Sequence, residues 1–139
     1  MRILVDTSVI VEIDRQNKKT VEFLQSLVEK NFDLVISTIT VSEILAGSYL
    51  QKDVKKSVII AKEILNQFSW IEFDGEVAEK TGQLLAYLIT EKKSIEYQDI
   101  AIAATFFTSR SDYLITYNKK DFCIFPMLRG KVFLPEEFK

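Results

Sequence analysis

The 139-residue sequence predicts an α/β fold: one domain, residues 1–139, with helices on both faces of a parallel sheet. Two observations predict this fold. Short unbroken apolar runs, typical of strands buried in a parallel sheet, recur along the chain. Segments with apolar residues at helical spacing alternate with them. Together they predict a three-layer α/β/α arrangement with a central sheet.

The first half of the chain alternates clearly between the two patterns. Ile3-Leu4-Val5 is the core of the first strand, and the next helical pattern includes Val21, Leu24 and Leu27. Leu34-Val35-Ile36 forms a second strand. Hydroxyl residues then begin a helix that can be capped by Ser37, by Thr38, or by Thr40 in a capping box with Glu43.

The second half repeats the alternation. Two helical patterns lie between Glu43 and Trp70, more than a simple crossover needs, so we expect a helical hairpin that projects from the sheet or forms a dimer surface. The almost continuously apolar run 100–104 predicts a helix buried on most sides. The predicted strands are 2–6, 33–37, 70–73, 113–116 and 131–134. The predicted helices are near 8–15, 19–31, 40–51, 53–68, 76–92 and 97–109.

Composition excludes several classes of protein and of catalyst. The chain is 47% hydrophobic and 27% charged, which is typical of a globular protein, and its single cysteine excludes an internal disulfide framework. No apolar run approaches the length of a membrane span, so we expect a cytoplasmic protein. The chain has no histidine, which removes Ser-His and Cys-His catalysis and argues against zinc. Carboxylate oxygens remain, and these suit Mg²⁺ or Mn²⁺.

Four acidic residues stand at the ends of predicted elements. Asp6, Glu43 and Asp121 follow three of the apolar strands, and Asp99 begins the buried helix. Ligands of parallel sheets bind outside the carboxyl ends of the strands, so these acids are expected to converge. Two carboxylates about 5 Å apart repel by roughly 3 kcal/mol at an effective dielectric constant of 20, so converging acids must take up protons or bind divalent cations. Taken singly, each acid is also explained as a helix cap or as a first-turn residue.

Four sequence pieces carry a resemblance to a known family. They are Val5-Asp6-Thr7-Ser8, Val41-Ser42-Glu43-Ile44, Asp99-Ile100-Ala101-Ile102-Ala103-Ala104, and Leu114-Ile115-Thr116 leading to Asn118-Lys119-Lys120-Asp121-Phe122. In this order they resemble PIN-domain proteins, and more closely the VapC-type toxins of toxin–antitoxin pairs. Before the third acid many relatives have a Gly and then a Pro or similar turn residue, whereas this chain has Lys93-Ser94-Ile95-Glu96-Tyr97-Gln98, and we expect Glu96 and Tyr97 to reshape the rim of the site.

The resemblance implies a five-stranded parallel sheet and a Mg²⁺- or Mn²⁺-dependent endoribonuclease. It makes Asp6, Glu43, Asp99 and Asp121 the acidic quartet that holds metal and catalyses cleavage. Ser8, Thr116 and Asn118 match polar positions that orient those acids or the attacking water. It also implies homodimerisation and a cognate antitoxin that obstructs the site.

Single-stranded RNA is the expected substrate, because unstacked bases can lie on aromatic side chains. Tyr49, Tyr97 and Tyr117 are the candidate stacking residues. The charge balance of 18 basic against 20 acidic residues does not exclude RNA, because four acids belong to the expected site.

Three alternatives remain open. A response-regulator receiver also has acids at strand ends, but it needs paired acids after the first strand. A haloacid-dehalogenase-like phosphatase needs a second Asp where this chain has Ser8. A non-catalytic PIN-like scaffold that binds RNA or protein needs no acidic quartet.

Overall fold

A parallel sheet of five strands forms the centre of the molecule, and this computed structural model describes residues 1–138. The strands are β1 (Arg2–Val5), β2 (Asp33–Ser37), β3 (Ser69–Ile71), β4 (Tyr113–Ile115) and β5 (Val132–Phe133). Their order in the sheet is β3-β2-β1-β4-β5, and every neighbouring pair is parallel. In the central strand Leu4 pairs with Val35 of β2 and with Leu114 of β4.

Seven helices connect the strands. They are α1 (Thr7–Asp14), α2 (Lys18–Glu29), α3 (Thr38–Tyr49), α4 (Val54–Leu65), α5 (Gly75–Thr90), α6 (Tyr97–Thr108) and α7 (Lys119–Phe122), with a short 3-10 turn at Pro126–Leu128. In the described residues no helix is long and apolar enough to cross a lipid bilayer.

Two apolar cores lie on opposite faces of the sheet. Ile3 and Val5 face a core built mainly by α1 to α4, whereas Leu4 faces a core built by α5, α6 and the segment after β4. Because successive strand residues point to opposite faces and both faces are covered, the strands read as unbroken apolar runs. The predicted three-layer α/β/α class with its five-stranded parallel sheet is confirmed.

The predicted helical hairpin is formed by α3 and α4. Ile44 of α3 and Ala61 and Leu65 of α4 share the core on one face of the sheet. Two apolar residues of the hairpin are exposed: Leu50, which follows α3, is 86% exposed, and Ile59, in the middle of α4, is 51% exposed. The apolar pattern identified the hairpin, but it could not tell its buried positions from its exposed ones.

Two local details also differ from the prediction. Strand β3 ends at Ile71, two residues early, because the backbone N–H of Phe73 donates to Thr38 Oγ1 (3.0 Å) and Asp74 caps α5. Residues after β4 form α7 and the 3-10 turn, two short elements that are absent from the predicted helices. Both elements are four residues or shorter, too short to produce a helical period.

Strand order determines where a ligand can bind. The chain runs from β1 outward through β2 and β3, then returns to the other side of β1 as β4 and β5. The connections therefore diverge between β1 and β4, and open α/β sheets bind ligands in the crevice at such a point. A receiver domain has the order 2-1-3-4-5, so this sheet excludes that alternative.

Candidate active site

Asp6 lies at the point where β1 and β4 diverge. It directly follows β1, and its backbone N–H donates to Ile115 O of β4 (3.0 Å). Its side chain also begins α1, because Oδ2 accepts from the backbone N–H of Ser8 (3.4 Å). The helix-cap interpretation of Asp6 is therefore correct, but it involves only one of the two carboxylate oxygens.

Two hydroxyls hold the same oxygen of Asp6. Ser8 Oγ donates to Oδ2 at 2.8 Å, and Thr116 Oγ1 donates to it at 2.7 Å. Thr116 directly follows β4 and is fully buried, so these bonds fix the carboxylate between the two central strands. The sequence predicted Ser8 and Thr116 as residues that orient the acids, and the structure places both in contact with Asp6. Ser8 stands where a dehalogenase-like phosphatase would need a second Asp, which disfavours that alternative.

The other oxygen of Asp6 has no hydrogen-bond partner. Asp6 is only 2% exposed, and its Oδ1 accepts no bond from any group in the described residues. Burial raises the pKa of Asp6, against the opposing effect of the bonds from Thr116 and Ser8. A buried anionic oxygen without a donor is costly unless a proton or a cation meets it.

Glu43 accepts a hydrogen bond from one hydroxyl, which is in turn hydrogen-bonded to a second hydroxyl. Thr7 Oγ1 donates to Glu43 Oε1 (2.9 Å) and is also hydrogen-bonded to Thr40 Oγ1 (2.8 Å). The cap of α3 is Ser37, whose Oγ accepts from the Ile39 N–H, so Glu43 does not serve in a capping box. Burial and the charge of Asp6 raise the pKa of Glu43, while the bond from Thr7 lowers it.

Asp99 and Asp121 share one amide donor. Asn118 Nδ2 donates to Asp121 Oδ2 at 2.8 Å and to Asp99 Oδ2 at 3.2 Å. Asn118 precedes α7, but its side chain makes no capping bond. Its backbone N–H donates to Thr116 Oγ1 (2.8 Å), the hydroxyl that also bonds Asp6, so this pair of acids is connected to Asp6. The prediction that Asn118 orients acids is thus consistent with its contacts.

Charge coupling shows that the four acids share one region. The pKa of Asp99 is raised from 3.8 to about 7, first by burial and then by the negative charges of Asp6, Asp121, Glu43 and Glu96. All three other members of the acidic quartet therefore act on Asp99. Glu96, which precedes α6, adds a fifth negative charge.

The donor set fits a hard divalent cation held by few protein ligands. In residues 1–138 no three His, Cys, Asp or Glu side chains lie close enough together to enclose an ion. Mg²⁺ is usually held by one or two carboxylates together with waters and substrate phosphates, so a closed group of ligands is not required. The unpartnered Oδ1 of Asp6, beside other coupled carboxylates, is the strongest indication that a cation fits.

Two hydroxyl side chains near Glu43 were not predicted from the sequence. Thr7 donates to Glu43, and the fully buried Thr40 is hydrogen-bonded to Thr7. Thr7 lies between Asp6 and Ser8 in the first acidic piece, which was the available signal. No spacing rule indicates that its hydroxyl reaches a glutamate 36 positions away.

Solved structures of the same fold come from several bacteria. One is VapBC2 from Rickettsia felis, bound to a DNA fragment from its promoter. It matches with a TM-score of 0.85 and 22% identity, covering 96% of this chain and 99% of that one. FitAcB from Neisseria gonorrhoeae matches with a TM-score of 0.79 and 31% identity over 98% and 99% of the two chains. A toxin-antitoxin complex from Klebsiella pneumoniae matches with a TM-score of 0.72 and 23% identity over 96% and 97%.

Sequence comparison agrees with the fold. No protein of curated function matches the chain. The PIN domain family model matches residues 3–125, which span β1 to the segment after α7 and include the whole acidic quartet. The resemblance inferred from the four sequence pieces is confirmed, and the chain belongs to the PIN domain family.

Proposed function

We propose that this chain, acting as one domain over residues 1–139, is a Mg²⁺- or Mn²⁺-dependent endoribonuclease and the toxin of a toxin–antitoxin pair. The observation that supports it most is the buried Asp6, whose Oδ1 has no donor and whose charge raises the pKa values of Glu43 and Asp99. PIN domains of the VapC type are nucleases in general, and the similar structure from Klebsiella pneumoniae is a toxin-antitoxin complex by its description.

Asp6 and Asp99 would hold the main ion, with Glu43 and Asp121 completing its surroundings or positioning water. When bound, such an ion offsets the charge that develops on the phosphate and lowers the pKa of water, so no side-chain nucleophile is required. The chain itself fixes the acids. Ser8 and Thr116 hold Asp6 at Oδ2, so that Oδ1 stays available, and Thr7 does the same for Glu43 through Oε1.

Asn118 has a distinct task in this proposal. Its two donated bonds keep Asp99 and Asp121 together despite their mutual repulsion. Because the pKa of Asp99 is about 7, this carboxyl is partly protonated near neutral pH, and ionisation prepares it for a cation. Raising the pH from 6 to 8 should therefore increase activity.

RNA cleavage by the pure protein tests the proposal. We expect Mg²⁺ or Mn²⁺ to support cutting of a fluorescent single-stranded oligoribonucleotide and EDTA to stop it. Asp99→Asn should abolish cutting. Asp74→Asn is the matched control, because Asp74 also follows a strand and begins a helix but lies outside the quartet, and asparagine caps equally well. Metal-independent cutting, or full activity of Asp99→Asn, would remove the proposal.

The cellular part of the proposal has its own test. Expression of the wild-type chain should arrest growth, and co-expression of the product of an adjacent reading frame should relieve the arrest. The Asp99→Asn variant should be harmless at equal abundance. We further propose a homodimer, to be checked by light scattering during gel filtration. RNA binding with no cutting and no toxicity would favour the scaffold alternative.

A further inference from the structure

We propose that Tyr117 forms a nucleobase subsite beside the acidic quartet and that Arg15 on its rim contacts an RNA phosphate. The inference rests on the proposed function, which it deepens by placing one unstacked nucleotide next to the cleaved bond. A cavity of about 340 Å³, here called the Tyr117 cavity, is lined by Ser8, Val11, Glu12, Arg15, Asn17 and Tyr117. Its volume is sufficient for a nucleobase.

The cavity is directly connected to the proposed catalytic group. The backbone N–H of Tyr117 donates to Ser8 Oγ (3.0 Å), and the same Oγ donates to Asp6 Oδ2 (2.8 Å). Tyr117 also follows Thr116, the second donor to Asp6. A base on this ring would therefore belong to a nucleotide adjoining the phosphate held at the quartet.

The ring of Tyr117 is exposed yet fixed. Its side chain is 37% exposed, but its hydroxyl is hydrogen-bonded at 2.6 Å to Thr20 Oγ1, and Thr20 is fully buried in α2. A partly exposed ring with its polar end held by the protein loses little entropy when a base stacks on it. Tyr97 and Tyr49 are 54% and 59% exposed, and neither is placed against this cavity.

The rim supplies a cation and a polar edge. Glu12 accepts from Arg15 Nη1 (3.3 Å) through Oε1 and from Asn17 Nδ2 (3.1 Å) through Oε2. Arg15 and Asn17 are therefore both hydrogen-bonded to Glu12 where they line the cavity. The side chain of Arg15 is 72% exposed, so its guanidinium can leave the weak surface pair for a phosphate.

Only an unpaired nucleotide satisfies these contacts. A base inside a duplex presents no free face, whereas a base in a single-stranded loop can stack on an aromatic ring while its backbone meets a cation. The arrangement therefore favours single-stranded RNA over duplex RNA as the substrate class.

RNA-binding measurements can distinguish the contribution of the Tyr117 ring from that of the Arg15 charge. In an Asp99→Asn background that does not cut, affinity for a fluorescent ten-nucleotide single-stranded RNA is measured by anisotropy over a series of salt concentrations. Tyr117→Ala and Tyr117→Leu should each weaken binding about tenfold with an unchanged salt dependence, and Tyr117→Phe should stay within about threefold. Arg15→Gln should reduce the slope of log Kd against log salt by about 0.7.

Tyr49→Ala is the control, because it removes another exposed tyrosine, at the last residue of α3 and outside the Tyr117 cavity, and it should bind RNA as the parent does. Circular dichroism and melting temperature establish that each variant is folded. Equal affinity of Tyr117→Leu and the parent would overturn the inference. So would a loss in Tyr117→Phe as large as in Tyr117→Ala, or an unchanged salt slope in Arg15→Gln.

The two proposals fail in different ways. If the wild-type chain cuts RNA and Tyr117→Leu cuts with the same KM, the subsite is wrong and the nuclease stands. If the wild-type chain does not cut with either metal but RNA binding still depends on the ring at position 117, the nuclease is wrong and the subsite stands. Loss of antitoxin binding alone, with RNA affinity unchanged, would assign the Tyr117 cavity to a protein partner and overturn the inference.

Discussion

The acidic quartet has two sides that differ in how their carboxylates are held. On the β1–β4 side Asp6 is 2% exposed, and two hydroxyls and a backbone N–H hold one of its oxygens. On the α6–α7 side Asp99 and Asp121 are half-buried and share the single amide of Asn118. The first side has its position set by the sheet, whereas the second is held mainly by one side chain and is strongly affected by neighbouring charge.

The difference shows that one site can combine a carboxylate fixed by buried hydroxyls with a carboxyl group whose charge depends strongly on its neighbours. Parallel strands place Asp6 without help from loops, and buried hydroxyls then determine which oxygen remains available. The pKa of Asp99 near 7 instead makes its charge sensitive to pH and to cations. The predictions below test this division between the two sides.

Removing the Asp6 carboxylate should lower activity more than removing the Asp121 carboxylate. Asp6→Asn should lower the rate of RNA cleavage about 1000-fold or more, because a loss of several kcal/mol of charge stabilisation at the phosphate is expected. Asp121→Asn should lower it less, since Asp121 is half-buried and is one of two acceptors of the Asn118 amide. Single-turnover rates with Mn²⁺ provide the measurement. Equal losses in the two variants would contradict the division between the sides.

Removing a hydroxyl that bonds Asp6 should have the next largest effect, on the stability of the fold. Thr116→Val removes a donor to buried Asp6 and the acceptor of the Asn118 N–H, so unfolding free energy should fall by about 2 kcal/mol. Thr105→Val is the matched control. Its hydroxyl is equally buried but bonds only a helical carbonyl, that of Ala101, so its loss should stay below about 1 kcal/mol. Urea unfolding at pH 7.5 measures both losses of free energy. A smaller loss in Thr116→Val than in Thr105→Val would refute the role of the Thr116 hydroxyl in holding Asp6.

The α6–α7 side should show itself in the pH dependence of stability. Because the pKa of Asp99 is raised from 3.8 to about 7, the folded metal-free protein keeps a proton that the unfolded chain has lost, and stability falls as pH rises from about 4 to 7. Asp99→Asn removes this loss. Below pH 4 the variant and the wild type should have the same unfolding free energy. Above pH 7 the variant should be more stable by about 1–2 kcal/mol, a value that allows for solvent screening at the partly exposed Asp99.

That experiment needs urea titrations in EDTA between pH 3.5 and pH 8. At each pH the unfolding free energy of the wild type is subtracted from that of Asp99→Asn. The informative result is how this difference changes with pH. If this difference is constant, or shrinks as pH rises, the pKa of Asp99 is not raised in the folded protein.

The smallest effect is expected at the shared amide. Asn118→Ala leaves Asp99 and Asp121 without their common donor, so cleavage should fall about tenfold and the KM for Mn²⁺ should rise. Asn118→Gln keeps an amide on a longer stem and should restore part of the activity. If both variants retain wild-type metal dependence, Asn118 does not position the acids.

Much of this architecture was predictable from sequence because its signals are local. Unbroken apolar runs identified the buried strands, and the run 100–104 indicated a helix that proves to be buried without interruption from Ile100 to Phe106. Asp6 and Asp99 could be placed in one site because both adjoin buried elements whose ends meet. The four-residue helix α7 and the hydroxyl pair Thr7 and Thr40 could not be predicted, since they depend on tertiary contacts between residues distant in the chain.

Manganese titration by calorimetry is the most direct test of the central claim, that Asp6 Oδ1 and its coupled neighbours form a divalent cation site. The wild-type chain at pH 7.5 should bind Mn²⁺ with release of protons, because ionisation of Asp99 accompanies binding, and Asp6→Asn should lose that heat while Asp74→Asn keeps it. Equal Mn²⁺ binding by the wild type and Asp6→Asn, or no binding by the wild type, would contradict the account.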